Sequence, residues 1–169
     1  MLTANQIVTM LGLRPLPDEG GEYVEMWRSP EEMLTAERPG AGRPIGTAIY
    51  YLLRPGTFSA MHRLGTDEVF HFYLGDPVEQ LQLAPDGSGQ LVTIGPDLTA
   101  GMRPQVIVPG GYWQGARLTQ EVHYGYALLG TTMAPGFDIA DYETGNRATL
   151  AAAYPAWSAV IAALTSDGG

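Results

Sequence analysis

The 169-residue chain contains no cysteine. That excludes disulfides, thiolate metal sites and a cysteine nucleophile, and it fits a cytoplasmic location. Lysine is absent as well: the nine basic residues are all arginines, set against 18 acids for a net charge of −9. Phosphate binding needs clustered basic residues, so this balance argues against a nucleic-acid partner. The acids are scattered rather than run together, which is the pattern of an acidic soluble surface. No apolar run approaches the ~18 residues of a membrane span, which argues against a membrane partner. The opening MLTANQIVTMLGLRP lacks the basic start and apolar stretch of a signal peptide.

What the chain does hold is a 45% hydrophobic content, enough for one domain over residues 1–169 with a real core. Thr3-Ala-Asn-Gln6 has the form of a capping box, with Ile7, Val8 and Leu11 at helical spacing before Gly12, so residues 1–20 form a short helix and lead-in. Residues 21–134 change to short strand signals punctuated by Pro and Gly. Eight strands are read in EYVEMWRS, TAIYYLLRP, EVFHFYLG, VEQLQLAP, QLVTIGP, PQVIVPG, YWQGARLT and HYGYALLGTT, with a hairpin at Asp86-Gly87. Strands without intervening helices predict an all-β antiparallel sandwich or small barrel. In residues 135–169 Leu150, Tyr154, Trp157, Ile161 and Leu164 form a helical stripe broken at Pro155, which predicts one or two short C-terminal helices packed on the barrel. The terminal Ser166-Asp-Gly-Gly reads as a frayed end.

The residues that carry chemistry cluster in GTFSAMHRLGTDEVFHFYLG, residues 56–75, where His62 and Glu68 stand inside an otherwise apolar stretch. As a functional pair they suit proton transfer, because a carboxylate orients a neighbouring imidazole and raises its basicity. As a structural pair they stabilise each other, since a buried carboxylate without a partner costs several kcal/mol. Phe70, Tyr50, Tyr51 and Trp113 are either pocket lining or barrel filling. His71 and Arg63 fall on the opposite strand face from Glu68 and His62, and His123 has no motif around it.

The spacing of Gly56, His62, Glu68 and Gly75 resembles the first motif of the cupin superfamily, except that Leu64 stands at its second histidine. Pro109-Gly-Gly-Tyr-Trp-Gln114 is similar to the second motif, with Gln114 at the third histidine. A narrower likeness joins His62-Arg63, Asp67-Glu-Val-Phe-His71, Gly75-Asp-Pro77, Val108 to Gln114 and Ala134-Pro-Gly-Phe-Asp138 to a small cupin subfamily of unassigned function. The resemblance implies an antiparallel double-stranded β-helix, the cupin jelly-roll barrel, with both motifs at one end, and a homodimer. The apolar residues on both faces of AIYYLL and VFHFYL fit such a subunit contact.

The resemblance also implies a divalent metal, for which this chain offers His62, Glu68 and the weak amide oxygen of Gln114. A catalytic metal centre wants about three good protein ligands, and Leu64 supplies none. The same barrel also carries metal-free sugar-nucleotide epimerases. The expected function is therefore binding of a small polar molecule, sugar-like or a carboxylic acid, as an epimerase or isomerase using His62 and Glu68, with Phe70, Tyr50, Trp113 and Gln114 around the ligand. A non-catalytic metabolite-binding protein and an oxygenase with a weak metal site are the alternatives.

Overall fold

Thr3 caps the first helix as its sequence predicts. Its hydroxyl accepts the Gln6 N–H (3.3 Å), and the Gln6 side-chain oxygen accepts the Thr3 N–H (2.9 Å). The helix, α1, runs Ala4–Leu11 and stops at Gly12 in the left-handed conformation. This computed structural model describes residues 2–35 and 38–166; of the end read as frayed, 167–169 lie outside the described residues.

The strands are β1 (Arg14–Pro15), β2 (Glu22–Arg28), β3 (Glu32–Thr35), β4 (Arg38–Pro44), β5 (Thr47–Leu53), β6 (Phe58–Arg63), β7 (Glu68–Gly75), β8 (Val78–Leu83), β9 (Gly89–Ile94), β10 (Gln105–Val108), β11 (Trp113–Leu118), β12 (Ala127–Met133) and β13 (Glu143–Thr144). They form a six-stranded sheet, β1-β2-β5-β12-β7-β10, facing a five-stranded sheet, β13-β6-β11-β8-β9, with β3-β4 as a separate hairpin. Every ladder between these strands is antiparallel. The helical tail comprises α2 (Arg147–Ala153), a 3₁₀ turn over Pro155–Trp157 and α3 (Ser158–Ala163). Proline at the start of the second segment lacks the N–H that a helix interior would need, so the break falls there. No helix of the described residues is long and apolar enough to cross a membrane.

Three apolar clusters hold these layers together. Tyr51, Leu53, Phe70, Val78, Ile94, Val106, Ala127 and Leu129 fill the space between the sheets. Ile7 and Leu13 cover Leu52, Tyr126 and Leu128 on the outer face of the six-stranded sheet. Leu150, Tyr154, Ile161 and Leu164 cover Met61, Leu81 and Leu83 on the outer face of the five-stranded one. Each fully buried Leu or Ile contributes roughly 1.5–3 kcal/mol.

Two departures from the sequence reading have identifiable causes in strand partners and tertiary hydrogen bonds. β6, the strand that carries His62, is not among the eight, because its Ser-Ala-Met centre lacks branched and aromatic residues and a bulge opposite Gly115 breaks the alternation. The segment HYGYALLGTT becomes a strand only from Ala127. Its first residues instead turn around buried Asp76, whose carboxylate accepts the N–H groups of His123 (2.7 Å), Tyr124 (3.0 Å) and Gly125 (2.8 Å).

Candidate functional site

Alternation along the strands decides which side chains enter the barrel. On β8, Leu81 and Leu83 point outward under the helical tail, so Val78, Gln80 and Gln82 point inward. On β11, Gln114, Ala116 and Leu118 face in, and Trp113 packs outside. Registers then bring the two motifs together: Gln114 stands opposite His62, and Glu68 stands between Val108 and Met133. The result is a barrel with an apolar interior at one end and a polar one at the other, where His62, Glu68, Gln80, Gln82 and Gln114 are all 7% exposed or less.

Glu68 accepts a hydrogen bond from Gln114 Nε2 through its Oε2 (2.7 Å). Burial pushes its carboxyl above the usual range and Glu19 adds to that, while the nearby His62 and the hydrogen bonds from Thr131 and Gln114 pull it back. His62 is held otherwise. Its Nδ1 donates to the Ala60 carbonyl (2.8 Å), which in the neutral ring leaves the lone pair on Nε2, and Tyr142 stacks on it at 5.2 Å between centroids. β13 places Tyr142 there by pairing with β6, Thr144 lying opposite His62. The preceding turn is pinned by buried Arg43, which donates to the Gly136 carbonyl (2.7 Å) and pairs with Asp141 (2.5 Å).

Above Glu68 lies a cavity of about 390 Å³. Glu68, Thr131, Tyr51, Leu64, Ile49 and Met133 line it from the barrel. Arg14, Asp18 and Glu19 from the lead-in, and Phe137 and Ile139 from the tail, also line it. Tyr51 fixes the lead-in by donating to the Gly20 carbonyl (2.9 Å), and Ser59 does so by donating to Glu19 Oε1 (2.8 Å). Arg28, also on the wall, forms an ion pair with Glu25 (2.7 Å), whereas Arg14 lies over the Tyr23 ring at 5.3 Å.

The structure thus brings His62, Glu68 and Gln114 together, but only Glu68 of the three lines the cavity. Phe70 is buried between the sheets. Tyr50 lies on the outer face near α1, edge-on to Tyr73 at 5.8 Å. Trp113 is outside too, packed against the helical tail with Arg63 over its ring at 4.7 Å. Arg63 also pairs with Glu143, and His71 bonds to Thr132 on the outer face (2.9 Å). Sequence reasoning missed Gln80 and Gln82, although their alternation with Leu81 and Leu83 was a usable signal. It also missed Arg14, Glu19 and Thr131, for which no motif speaks.

The donor set does not fit the metal centre that the resemblance implies. Leu64 is a hydrocarbon, and Gln114 turns its NH₂ group toward Glu68, a donor where a ligand must be an acceptor. Among the described residues no three His, Asp or Glu side chains are grouped to hold a cation.

Comparison with known proteins agrees with this architecture. The family model described as Cupin superfamily (DUF985) matches residues 5–145. An uncharacterized protein of Saccharomyces cerevisiae is 30% identical over 135 residues, covering 73% of this chain and 66% of that protein, just under two thirds of its length. A hypothetical protein from Leishmania major superposes with a TM-score of 0.90 at 31% identity, over 98% of this chain and 100% of that one. A protein from Shewanella oneidensis does so with a TM-score of 0.85 at 35% identity, over 98% and 99%. A barrel of two antiparallel sheets, the two motifs side by side at its polar end and a matching family model lead to one assignment: the chain belongs to the cupin superfamily, in its DUF985 family.

Proposed function

We propose that this chain binds a small polar molecule, sugar-like or a carboxylic acid, in the cavity at the polar end of the barrel, and that Glu68 moves a proton on it in an isomerase or epimerase reaction. One observation carries the reading: a carboxyl group only 7% exposed lines a cavity of about 390 Å³ whose wall also holds Arg14 and Arg28. That volume lies in the range of small-molecule sites, which are mostly apolar with a few convergent polar groups. A carboxylate whose basicity is raised by burial is suited to take a proton from a carbon beside a carbonyl. Returning that proton to the neighbouring carbon, as the hydroxyl proton passes to the former carbonyl oxygen, isomerises the molecule, and delivery of a solvent proton to the opposite face epimerises it; neither needs an oxidant. Arg14 at the wall suits an anionic group on the ligand.

The non-catalytic alternative is favoured by the position of His62, which is 1% exposed, bonded to a backbone carbonyl and not part of the cavity wall. Incubation of the protein in D₂O with a panel of aldoses, sugar acids and small hydroxy acids separates the two. Exchange of a carbon-bound hydrogen, reduced by about 10²-fold or more in Glu68→Gln, supports catalysis. A panel member that raises the melting temperature without exchange supports binding alone. The absence of both responses in the wild type contradicts the proposal.

A further inference from the structure

Four glutamine side chains line up through the five-stranded sheet toward Glu68. Gln90 Nε2 donates to Gln82 Oε1 (2.9 Å), and Gln82 Nε2 donates to Gln80 Oε1 (2.9 Å). Gln80 Nε2 reaches Gln114 Oε1 at 3.5 Å, and Gln114 Nε2 donates to Glu68 Oε2 (2.7 Å). Gln80, Gln82 and Gln114 are no more than 1% exposed, so each amide must find its partners inside the protein.

The direction of this row is not arbitrary. Turning an amide over exchanges its nitrogen and oxygen, and a row of amides alone is satisfied equally well in either sense. Here Gln82 Nε2 also donates to the Ile107 carbonyl of β10 (3.2 Å), across the barrel. A backbone carbonyl only accepts, so the Gln82 nitrogen has to lie on that side. Its other hydrogen then meets the Gln80 oxygen, which turns the Gln80 nitrogen toward Gln114. That in turn presents the Gln114 nitrogen to Glu68. Gln90, an exposed residue, joins at the Gln82 oxygen and is not needed for this sequence of constraints.

We propose that the Ile107 carbonyl, acting through Gln82 and Gln80, locks the Gln114 amide with its nitrogen on Glu68, making Gln82 and Gln80 positioning residues for the floor of the cavity. The lock holds Glu68 by one oxygen and keeps the Gln114 oxygen turned to Gln80, away from any cation. Its importance for proton transfer rests on the reading of Glu68 given above; its test does not.

Side-chain amide NMR of the full chain reads the lock without a ligand. In the wild type the NH₂ protons of Gln80 and Gln114 exchange with solvent roughly tenfold or more slowly than those of Gln90. Gln82→Met speeds the Gln114 exchange by about tenfold, and Gln90→Met leaves it unchanged. A second arm uses Mn²⁺: Leu64→His together with Gln82→Met binds it about tenfold more tightly than Leu64→His alone, because the released Gln114 oxygen can turn to the ion. A Gln82→Met protein that is merely less stable, with Gln114 exchange and Mn²⁺ affinity unmoved, overturns the proposal. Should Gln82→Met not fold, wild-type Gln114 protons exchanging as fast as those of Gln90 overturn it equally. Failure of the lock with D₂O exchange intact refutes the lock alone, and the reverse result refutes only the assigned reaction.

Discussion

Glu68 and His62 share a strand-like motif and a polar interior, yet their surroundings give them different roles. Burial raises the Glu68 pKa, so folding binds its proton more tightly than the unfolded chain does. The stability that this supplies is fully present below the unfolded value of about 4.3 and is lost as pH rises through the folded value. Glu68→Gln keeps an oxygen for the Gln114 NH₂ and removes the ionisation. Its stability should lie within about 1 kcal/mol of wild type at pH 5 and gain on wild type by pH 8. Denaturant melts at the two pH values check this. A loss of roughly 3–5 kcal/mol at both would point to a broken buried ion pair instead. The motif spacing made His62, Glu68 and Gln114 legible in the sequence as neighbours. It could not tell that His62 bonds to its own strand's Ala60 rather than facing a ligand, because that follows from the bulge in β6.

Among the elements, the strands with strong apolar alternation were legible, and those shaped by partners were not. β5 and β7 read as strands because branched and aromatic residues stand on both faces, and β8 because Leu81 and Leu83, packed under the helical tail, alternate with inward Gln80 and Gln82. β6 and the turn before β12 depend on distant groups: a bulge in one case, Asp76 in the other. Gly75 belongs to the same junction, with a φ of +99° and a position where a Cβ would lie 2.1 Å from the Tyr126 carbonyl oxygen, so a side chain there is excluded by both conformation and space. At Asp76 burial acts to raise the pKa, but hydrogen bonds from the N–H groups of Tyr124, His123, Gly125 and Tyr126 outweigh it and hold the carboxyl below its usual value. The resulting stability is present above the unfolded value of about 3.9 and is lost as pH falls through the folded one. Asp76→Asn should therefore lose about 2–3 kcal/mol at neutral pH, with the gap narrowing in acid. Urea melts of both proteins across that range measure it, and a gap independent of pH would contradict the role given to the carboxylate.

For the whole molecule, the sequence spoke clearly for the barrel and weakly for the cavity. The wall opposite Glu68 comes from the lead-in at Arg14 to Glu19 and from the tail at Phe137 and Ile139, which meet only through chain topology. The helical tail was legible from its stripe, but β13 just before it was not, since two residues carry no strand signal. The outer face of the six-stranded sheet leaves Trp27, Tyr73 and Ile107 exposed at 51%, 45% and 57%, beyond the reach of α1. We propose that this face meets a second copy of the chain. Light scattering at micromolar concentration should give twice the 18.1 kDa chain mass, falling to the single mass in Trp27→Arg; a wild-type monomer would refute the contact.

The claim that the polar end of the barrel binds a small molecule is tested most directly by methyl NMR of the wild type against the same sugar and acid panel. The methyl groups of Ile49, Leu64, Thr131, Met133 and Ile139 report the cavity, and those of Leu81, Leu150 and Ile161 report the packed tail. The account predicts saturable shifts confined to the first group for at least one panel member, and their loss in Glu68→Gln. Shifts gathered around Arg54 and Thr119 at the separate surface hollow, or a cavity group that never moves, would contradict it.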